Sequence, residues 1–342
     1  MGLREVATRI LLSMFGVAAL LALGGTWPAA GSSPAPPATV IATIPVGLSP
    51  AWLAFDTRNG RLYVANIFSD DVSVIDPRTN TVVDTIPLAG GFVCAHPFAV
   101  GYDPRHDVVY VACQQYTMAT AISGRTNTPI GDPIEVGSSP FGIAFDSRND
   151  HVYIAVAHTQ DVAVLDAATR AVIDRVPIPP APGQSESEPF GIAYDDRNGE
   201  LYVAESASPE VSVIDGSTNN VLKTIPTPST SRGIAYDPRT GEIYVANFEA
   251  GSVSVIDDTT NDIVATIPVG SFPFGLAYNQ RDGDIYVANF GSASLSVIDP
   301  KTKRVVKTIP IDGTPVGVAT DPRSGNIYVT RGNVVDVLTP LR

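Results

Sequence analysis

The chain has 342 residues, 44% hydrophobic and 17% charged, with a formal net charge of −13 at pH 7. An acidic chain with no basic cluster repels phosphate backbones, which argues against nucleic acid as a partner. The chain has 2 cysteines in all and no Cys-x-x-Cys.

Arg4 and Arg9 precede an apolar run from Ile10 to Leu23. This run is short for a membrane span and has the length of a signal-peptide core. Ala22 and Gly24 place small residues at the two recognition positions, so residues 1–24 read as a signal peptide cut after Gly24. Cleavage after Ala30 and an uncleaved anchor are the alternatives. Residues 25–38 read as a Ser/Pro/Ala-rich linker. No later apolar stretch is long enough to cross a membrane, so the mature form is expected to lack a span. The expected location is secreted, periplasmic or cell-surface.

From Thr39 onward the chain repeats itself, and the clearest copy runs from Gly233 to Gly270. It holds four short runs of β type. Gly233–Tyr236 begins with a small residue, and Ile243–Ala246 is almost wholly apolar, as a strand covered on both faces should be. Ser252–Ile256 alternates small polar with apolar residues. Ile263–Ile267 ends at Pro268, which suits an outer strand because proline has no amide proton to donate. The first two runs are joined by Asp237-Pro238-Arg239-Thr240-Gly241, a type I turn signal. The residue opening that turn counts the copies: Asp56, Asp103, Asp146, Asp195, Asp237, Asn279 and Asp321, spaced 42–49 residues apart. A four-stranded unit of about 40–45 residues is the mark of a β-propeller blade. Residues 39–342 therefore read as one all-β domain, a seven-bladed propeller of four-stranded antiparallel blades.

The last copy has only three strands before the chain stops at Arg342, whereas Thr39–Gly47 matches Asp262–Gly270 with no first three strands of its own. The N-terminal strand is thus expected to complete the last blade and close the ring, removing an open sheet edge. The tyrosine near the start of each second strand (Tyr63, Tyr110, Tyr153, Tyr202, Tyr244, Tyr286 and Tyr328) reads as packing between blades. Small residues of the first strand, such as Gly142, Ala144, Gly275 and Ala277, read as what lets seven strands converge at the axis.

The repeated Tyr-Val-Ala-Asn at Tyr63–Asn66, Tyr244–Asn247 and Tyr286–Asn289 occurs with Ile-Pro-Val-Gly, Tyr-Asp-Pro-Arg and Ser-Val-Ile-Asp runs. In these the chain resembles the YVTN family of β-propeller repeat proteins, over roughly Thr39 to Leu338. The resemblance implies a secreted or surface-displayed propeller similar to modules of surface-layer proteins. It implies no catalytic residues, and propellers host many unrelated activities.

Two insertions, Ala89–His96 before blade 2 and Pro179–Glu188 before blade 4, fall in links between blades. Such links share a face, here called the top, with the turns between second and third strands. Function is expected there, because loops on a rigid scaffold are where ligands meet a protein. The rim residue before the proline slot is Ser49, His96, Ser139, Glu188, Thr230, Phe272 and Thr314 in turn. The residue ending the second strand is Asn66, Cys113, Val156, Glu205, Asn247, Asn289 and Arg331. Both sets are expected to ring the mouth of the channel. His96, His158, Glu188 and Glu205 fall in three consecutive blades, and imidazoles with carboxylates can hold a divalent metal. The bland reading makes them four polar side chains at a wet surface. Asn66, Asn247, Asn289 and Arg331 complete the candidate ligand set, with loop-tying as the alternative for the asparagines. His106 and His151 belong to the opposite face and read as solvent-exposed. Cys94 and Cys113 share blade 2 and, in an exported chain, read as a disulfide, with two free thiols as the alternative.

No nucleophile elbow, zincin, phosphate-loop or dinucleotide signature is present. The expectation is a non-catalytic, monomeric binding module for a protein or glycan partner in the envelope, with no cofactor. The competing reading is a metal-dependent lyase or lactonase with its site at the channel mouth.

Overall fold

The computed structural model describes residues 40–88 and 94–341. The expected signal peptide and linker, and Ala89–Val93 of the first insertion, lie outside the described residues.

Seven four-stranded antiparallel sheets form the described chain, with no helix among them. Blade 1 comprises Pro50–Asp56, Arg61–Asn66, Asp71–Asp76 and Thr81–Pro87, from the axis outward. Five further blades repeat this order. Blade 2 departs at its rim, where the outermost strand is reduced to Ile134–Glu135. The inner strands touch in sequence around the axis, and Pro315–Thr320 of blade 7 packs against Pro50–Asp56 of blade 1. Second strands are buried along almost their whole length because both faces are covered by neighbouring blades. The core accordingly lies between blades: Leu62, Val64 and Ile75 of blade 1 cluster with Tyr328, Val335 and Val337 of blade 7.

The ring closes as the repeat count requires. Val40–Pro45 pairs antiparallel with Val334–Leu338 as the fourth strand of blade 7. Ile44 is buried in the seam. Thr43 Oγ1 donates to Asp336 Oδ1 at 2.7 Å, and the Val46 amide to the Asn333 carbonyl at 3.0 Å.

Two further sets of contacts tie blade to blade on the lower face. All seven repeat tyrosines are buried. Tyr63, Tyr153 and Tyr202 donate their hydroxyls to Asn127, Asn219 and Asn261 in the next blade's outer turn, at 2.5–2.7 Å. Those asparagines have positive φ, a conformation asparagine tolerates. The second set of ties is made by the arginine two residues after the turn acid in blades 1, 2, 3, 5 and 7. Arg58 Nη2 donates to the Arg105 carbonyl at 2.9 Å and Arg105 Nη2 to the Ser147 carbonyl at 2.8 Å. Arg323 bridges the last and first blades by donating to the Thr57 carbonyl of blade 1 at 2.9 Å. The turn acids are buried, and one carboxylate oxygen of each accepts the amide of that same arginine, as Asp56 Oδ1 does from Arg58 at 2.8 Å. The turn is therefore a built connector as well as a hairpin.

His106 and His151, expected to be solvent-exposed, are half-buried. His106 Nδ1 pairs with Asp103 Oδ2 at 2.8 Å because the turn folds the ring back over its own buried acid.

A chain beginning at Gly47 lacks the closing strand. Losing the burial of Ile44 alone costs about 2 kcal/mol, and the bare edge of Val334–Leu338 invites self-association. Urea unfolding is expected to show a lower midpoint and light scattering a concentration-dependent aggregate. Unfolding identical to that of the longer chain would contradict the role of this seam.

Candidate functional site

The top of the ring is built where each inter-blade link meets the turn after the second strand. The link residue before the strand proline adopts positive φ at Ser49, His96, Ser139, Glu188 and Phe272. The carbonyl of this link residue accepts an amide from the facing turn: Ile67 to Ser49 at 3.1 Å, Gln114 to His96 at 3.0 Å, Ser206 to Glu188 at 2.9 Å and, without a positive φ, Phe248 to Thr230 at 2.9 Å. A conformation repeated in five blades is architectural rather than a local strain kept for chemistry.

The candidate side chains have separate engagements. The His96 amide donates to Asp70 Oδ1 at 2.7 Å, and its ring meets Phe68 edge-on at 5.6 Å. Burial holds its imidazole below the usual range, with Asp70 acting in the opposite direction. His158 is exposed, its Nδ1 2.9 Å from Ser139 Oγ. Glu188 Oε2 accepts from Ser206 Oγ at 3.0 Å. Glu205 is fully buried. Among the described residues, no three His, Cys, Asp or Glu side chains gather closely enough to hold a metal ion.

Asn66, Asn247 and Asn289 are also fully buried. Asn247 Nδ2 donates to the Ser252 and Ser254 hydroxyls at 3.0 and 2.9 Å, and Asn289 Nδ2 to Ser294 and Ser296 at 3.1 and 2.9 Å. Asn66 does the same to Asp71 and Ser73. Asn289 Oδ1 also accepts the Gly270 amide at 3.1 Å, so it ties the incoming link as well as the adjacent strand. Arg331 holds Asp336 with two bonds, Nε to Oδ2 at 2.5 Å and Nη2 to Oδ1 at 3.1 Å. It thereby braces the carboxylate that binds the closing strand. Cys94 and Cys113 form a disulfide with Cα atoms 5.0 Å apart, pinning the link before blade 2 to the end of that blade's second strand.

The axis itself is occupied by side chains. Glycine stands at one equivalent inner-strand position in five blades, Gly142, Gly191, Gly233, Gly275 and Gly317. A Cβ there would overlap the carbonyl of the next blade's inner strand. In blade 1 this position is Trp52. Its indole reaches Phe98 at 5.4 Å, Phe190 at 5.9 Å and Phe274 at 5.4 Å, in three separate blades. Phe141 stacks on Phe190 at 4.5 Å. The four phenylalanines are each 5% exposed or less, so they close the channel as a packed plug. Blade 5 places Arg232 where these blades have phenylalanine. Its guanidinium lies 5.2 Å from the Phe190 ring and 5.1 Å from the Phe248 ring, and Nη1 donates to the Ser206 carbonyl at 3.1 Å. Burial pushes it down to about 10, partly offset by Glu249 and Glu188, so it stays charged at neutral pH.

The plug was visible in the sequence as the recurring dipeptides Pro97-Phe98, Pro140-Phe141, Pro189-Phe190 and Pro273-Phe274. Reading the residue before the proline, rather than the one after it, missed it.

A family model described as YNCE-like beta-propeller matches residues 26–324. The chain belongs to that family. The match agrees with the repeat motifs of the YVTN type. No curated protein matches the chain. Among solved structures, this YNCE-like propeller is similar to Kuenenia stuttgartiensis hydrazine synthase (TM-score 0.74, 18% identity, covering 86% of this chain and 96% of that one). It is also similar to a streptogramin B lyase (TM-score 0.72, 14% identity, covering 86% of this chain and 94% of that one). At these identities the likeness establishes the fold.

Replacing Phe190 by alanine removes a ring that contacts Trp52, Phe98, Phe141, Phe274 and the Arg232 guanidinium. A cavity at such a site costs about 3–5 kcal/mol, and chemical denaturation is expected to read a loss of that order. A loss under about 1 kcal/mol would show that the plug packs loosely.

Proposed function

We propose that this YNCE-like propeller is an exported binding module whose top face holds a protein or glycan partner in the envelope. The observation that carries this reading is the distribution of exposed large hydrophobics. Val83, Ile173, Leu222, Val264 and Val306 stand singly, one to an outer strand, and isolated exposure of this kind is ordinary; Val40 and Ile41 lie side by side at the start of the closing outer strand. Leu48, Phe68 and Tyr116 are 51%, 37% and 44% exposed and lie on the top face of blades 1 and 2. The Phe68 amide bonds the Leu48 carbonyl, and the Phe68 ring packs on His96, so at least these groups form one surface. Exposed apolar side chains rimmed by polar ones favour a protein or glycan contact. The plugged axis supports the same reading, since the top offers a surface more than a well. Weighing against the metal-dependent lyase or lactonase reading are the separate structural partners of His96, His158 and Glu188 and the burial of Glu205.

Substituting serine at both Phe68 and Tyr116 is expected to weaken capture of the native envelope partner at least tenfold. Replacing the lower-face Arg78 by alanine should leave capture unchanged. Equal capture by all three proteins would overturn the assignment of the top face.

Export is part of the proposal and rests on the apolar run Ile10–Leu23 and the small residues after it. Sequencing of protein recovered from the native envelope is expected to find a mature N-terminus between Gly24 and Gly31. Intact Met1 would indicate an anchor.

A further inference from the structure

At the top of blade 4, Glu205 ends the second strand and Glu210 begins the third. The register, with Ala204 opposite Val211, sets these two acids across from each other. The corresponding pairs in blades 1, 5 and 6 are Asn66–Asp71, Asn247–Ser252 and Asn289–Ser294. In each of those an amide donates across the turn. Neither member of the blade 4 pair has a proton to donate when both are ionised.

The burial makes this consequential. Glu205 is 0% exposed. Ser212 Oγ donates to its Oε1 at 2.8 Å, and its buried Oε2 makes no hydrogen bond of ordinary geometry, although the Ser208 hydroxyl is near enough to bear on both acids. The facing Glu210 charge adds to the larger penalty of burial, and both disfavour an ionised Glu205. A proton removes the second charge and turns the buried Oε2 from an acceptor into a neutral hydroxyl, which is less costly to bury.

We propose that Glu205 keeps a proton beside the facing Glu210 carboxylate, and that this pair is a proton-dependent latch on the top rim of blade 4. The turn it holds connects several parts of that rim. Ser206 contacts Glu188 through both its amide and its hydroxyl, at 2.9 and 3.0 Å, and its carbonyl accepts from Arg232. The Ser208 hydroxyl accepts the Ala181 amide of the insertion at 3.0 Å. From blade 5, the Ser231 hydroxyl donates to the Glu210 carbonyl at 3.3 Å. Ionising the pair therefore loads a turn that carries the insertion, Glu188 and the arginine of the axial plug.

The electrostatic environment agrees with the geometry. Burial pushes the Glu205 carboxyl up from 4.5 to about 8; the Ser212 and Ser208 hydroxyls oppose this in part and the Glu210 charge adds to it. Burial raises Glu210 as well, and Ser208 opposes that. A carboxyl raised on folding keeps its proton between those two values while the unfolded chain releases it. Its contribution to stability is complete below about pH 4.5, falls as pH rises toward 8, and is gone above. The folding constant drops about tenfold per pH unit across the window.

The test compares urea unfolding of the full chain, as wild type and as Glu205→Gln, from pH 5 to 9. Glutamine supplies the amide that the other blades use. The wild type is expected to lose stability relative to the variant by about tenfold in folding constant per pH unit, levelling off above about pH 8. Parallel pH profiles would overturn the proposal. A second reading does not depend on the variant folding: carbon-13 carboxyl spectra of glutamate-labelled wild type should show one resonance titrating above pH 7. That midpoint should fall in Glu210→Gln. All glutamates titrating below pH 6 would overturn the latch. So would stability that follows added calcium rather than pH, because a cation would then be what neutralises the pair.

Discussion

The structure depends on how closely seven inner strands approach one axis. At five of seven equivalent positions only hydrogen fits against the neighbouring carbonyl, so glycine there is a steric requirement. Backbones this close leave a channel too narrow for repeated large side chains at that level. One indole and four phenylalanine rings then fill the remaining space. The Trp52 side chain, at the position that is glycine in most blades, reaches rings in three blades at once. The axis is thus set by residues that could not all be alike. Seven tryptophans would not fit, and seven glycines would remove the ring that joins three of the phenylalanines.

Outside the axis, cohesion comes from contacts repeated blade by blade. Tyrosine contacts join blades 1 to 5 and arginine contacts join five pairs of blades on the lower face, and the closing seam adds Ile44, Thr43 and Asp336. The last of these arginines, Arg323, bonds the first turn of the ring. Closure therefore has two independent parts, one at the outer edge of blade 7 and one near the axis below. Each propagates through neighbours rather than through a central core, which is the energetic pattern of repeat architectures.

Most of this was legible in the sequence because repetition averages out the ambiguity of any single strand. The turn acids counted the blades, the missing fourth strand located the closure, and one tyrosine per blade marked inter-blade packing. The cysteine pair was legible from its shared blade. What was not legible was the direction in which individual side chains point. Asn66, Asn247, Asn289 and Glu205 looked like rim residues because they end a strand at the top. The pleat turns them into the cleft between blades, where serines on the adjacent strand receive them. Arg331 was drawn to Asp336 for the same reason, since cross-strand neighbours cannot be read before the register is known. The arginine of the turn motif was hidden in plain view: a Pro-Arg sequence reads as turn chemistry, while its partner lies a whole blade away.

The repeat also defines which departures can matter. A residue present in every blade is explained by the ring, so function is most economically sought where the pattern breaks. The breaks are the exposed Phe68 and Tyr116 on blades 1 and 2, the paired acids and insertion of blade 4, and Arg232 of blade 5. The last two are physically joined, because the Ser206 carbonyl between the acids accepts from Arg232, whose guanidinium lies over Phe190 of the plug. A change of charge at the blade 4 turn thus has a direct route to the rings that fill the axis. Blades 5 and 6, with an amide facing a serine at the equivalent place, carry no such route, because neither partner of the pair ionises in the working range.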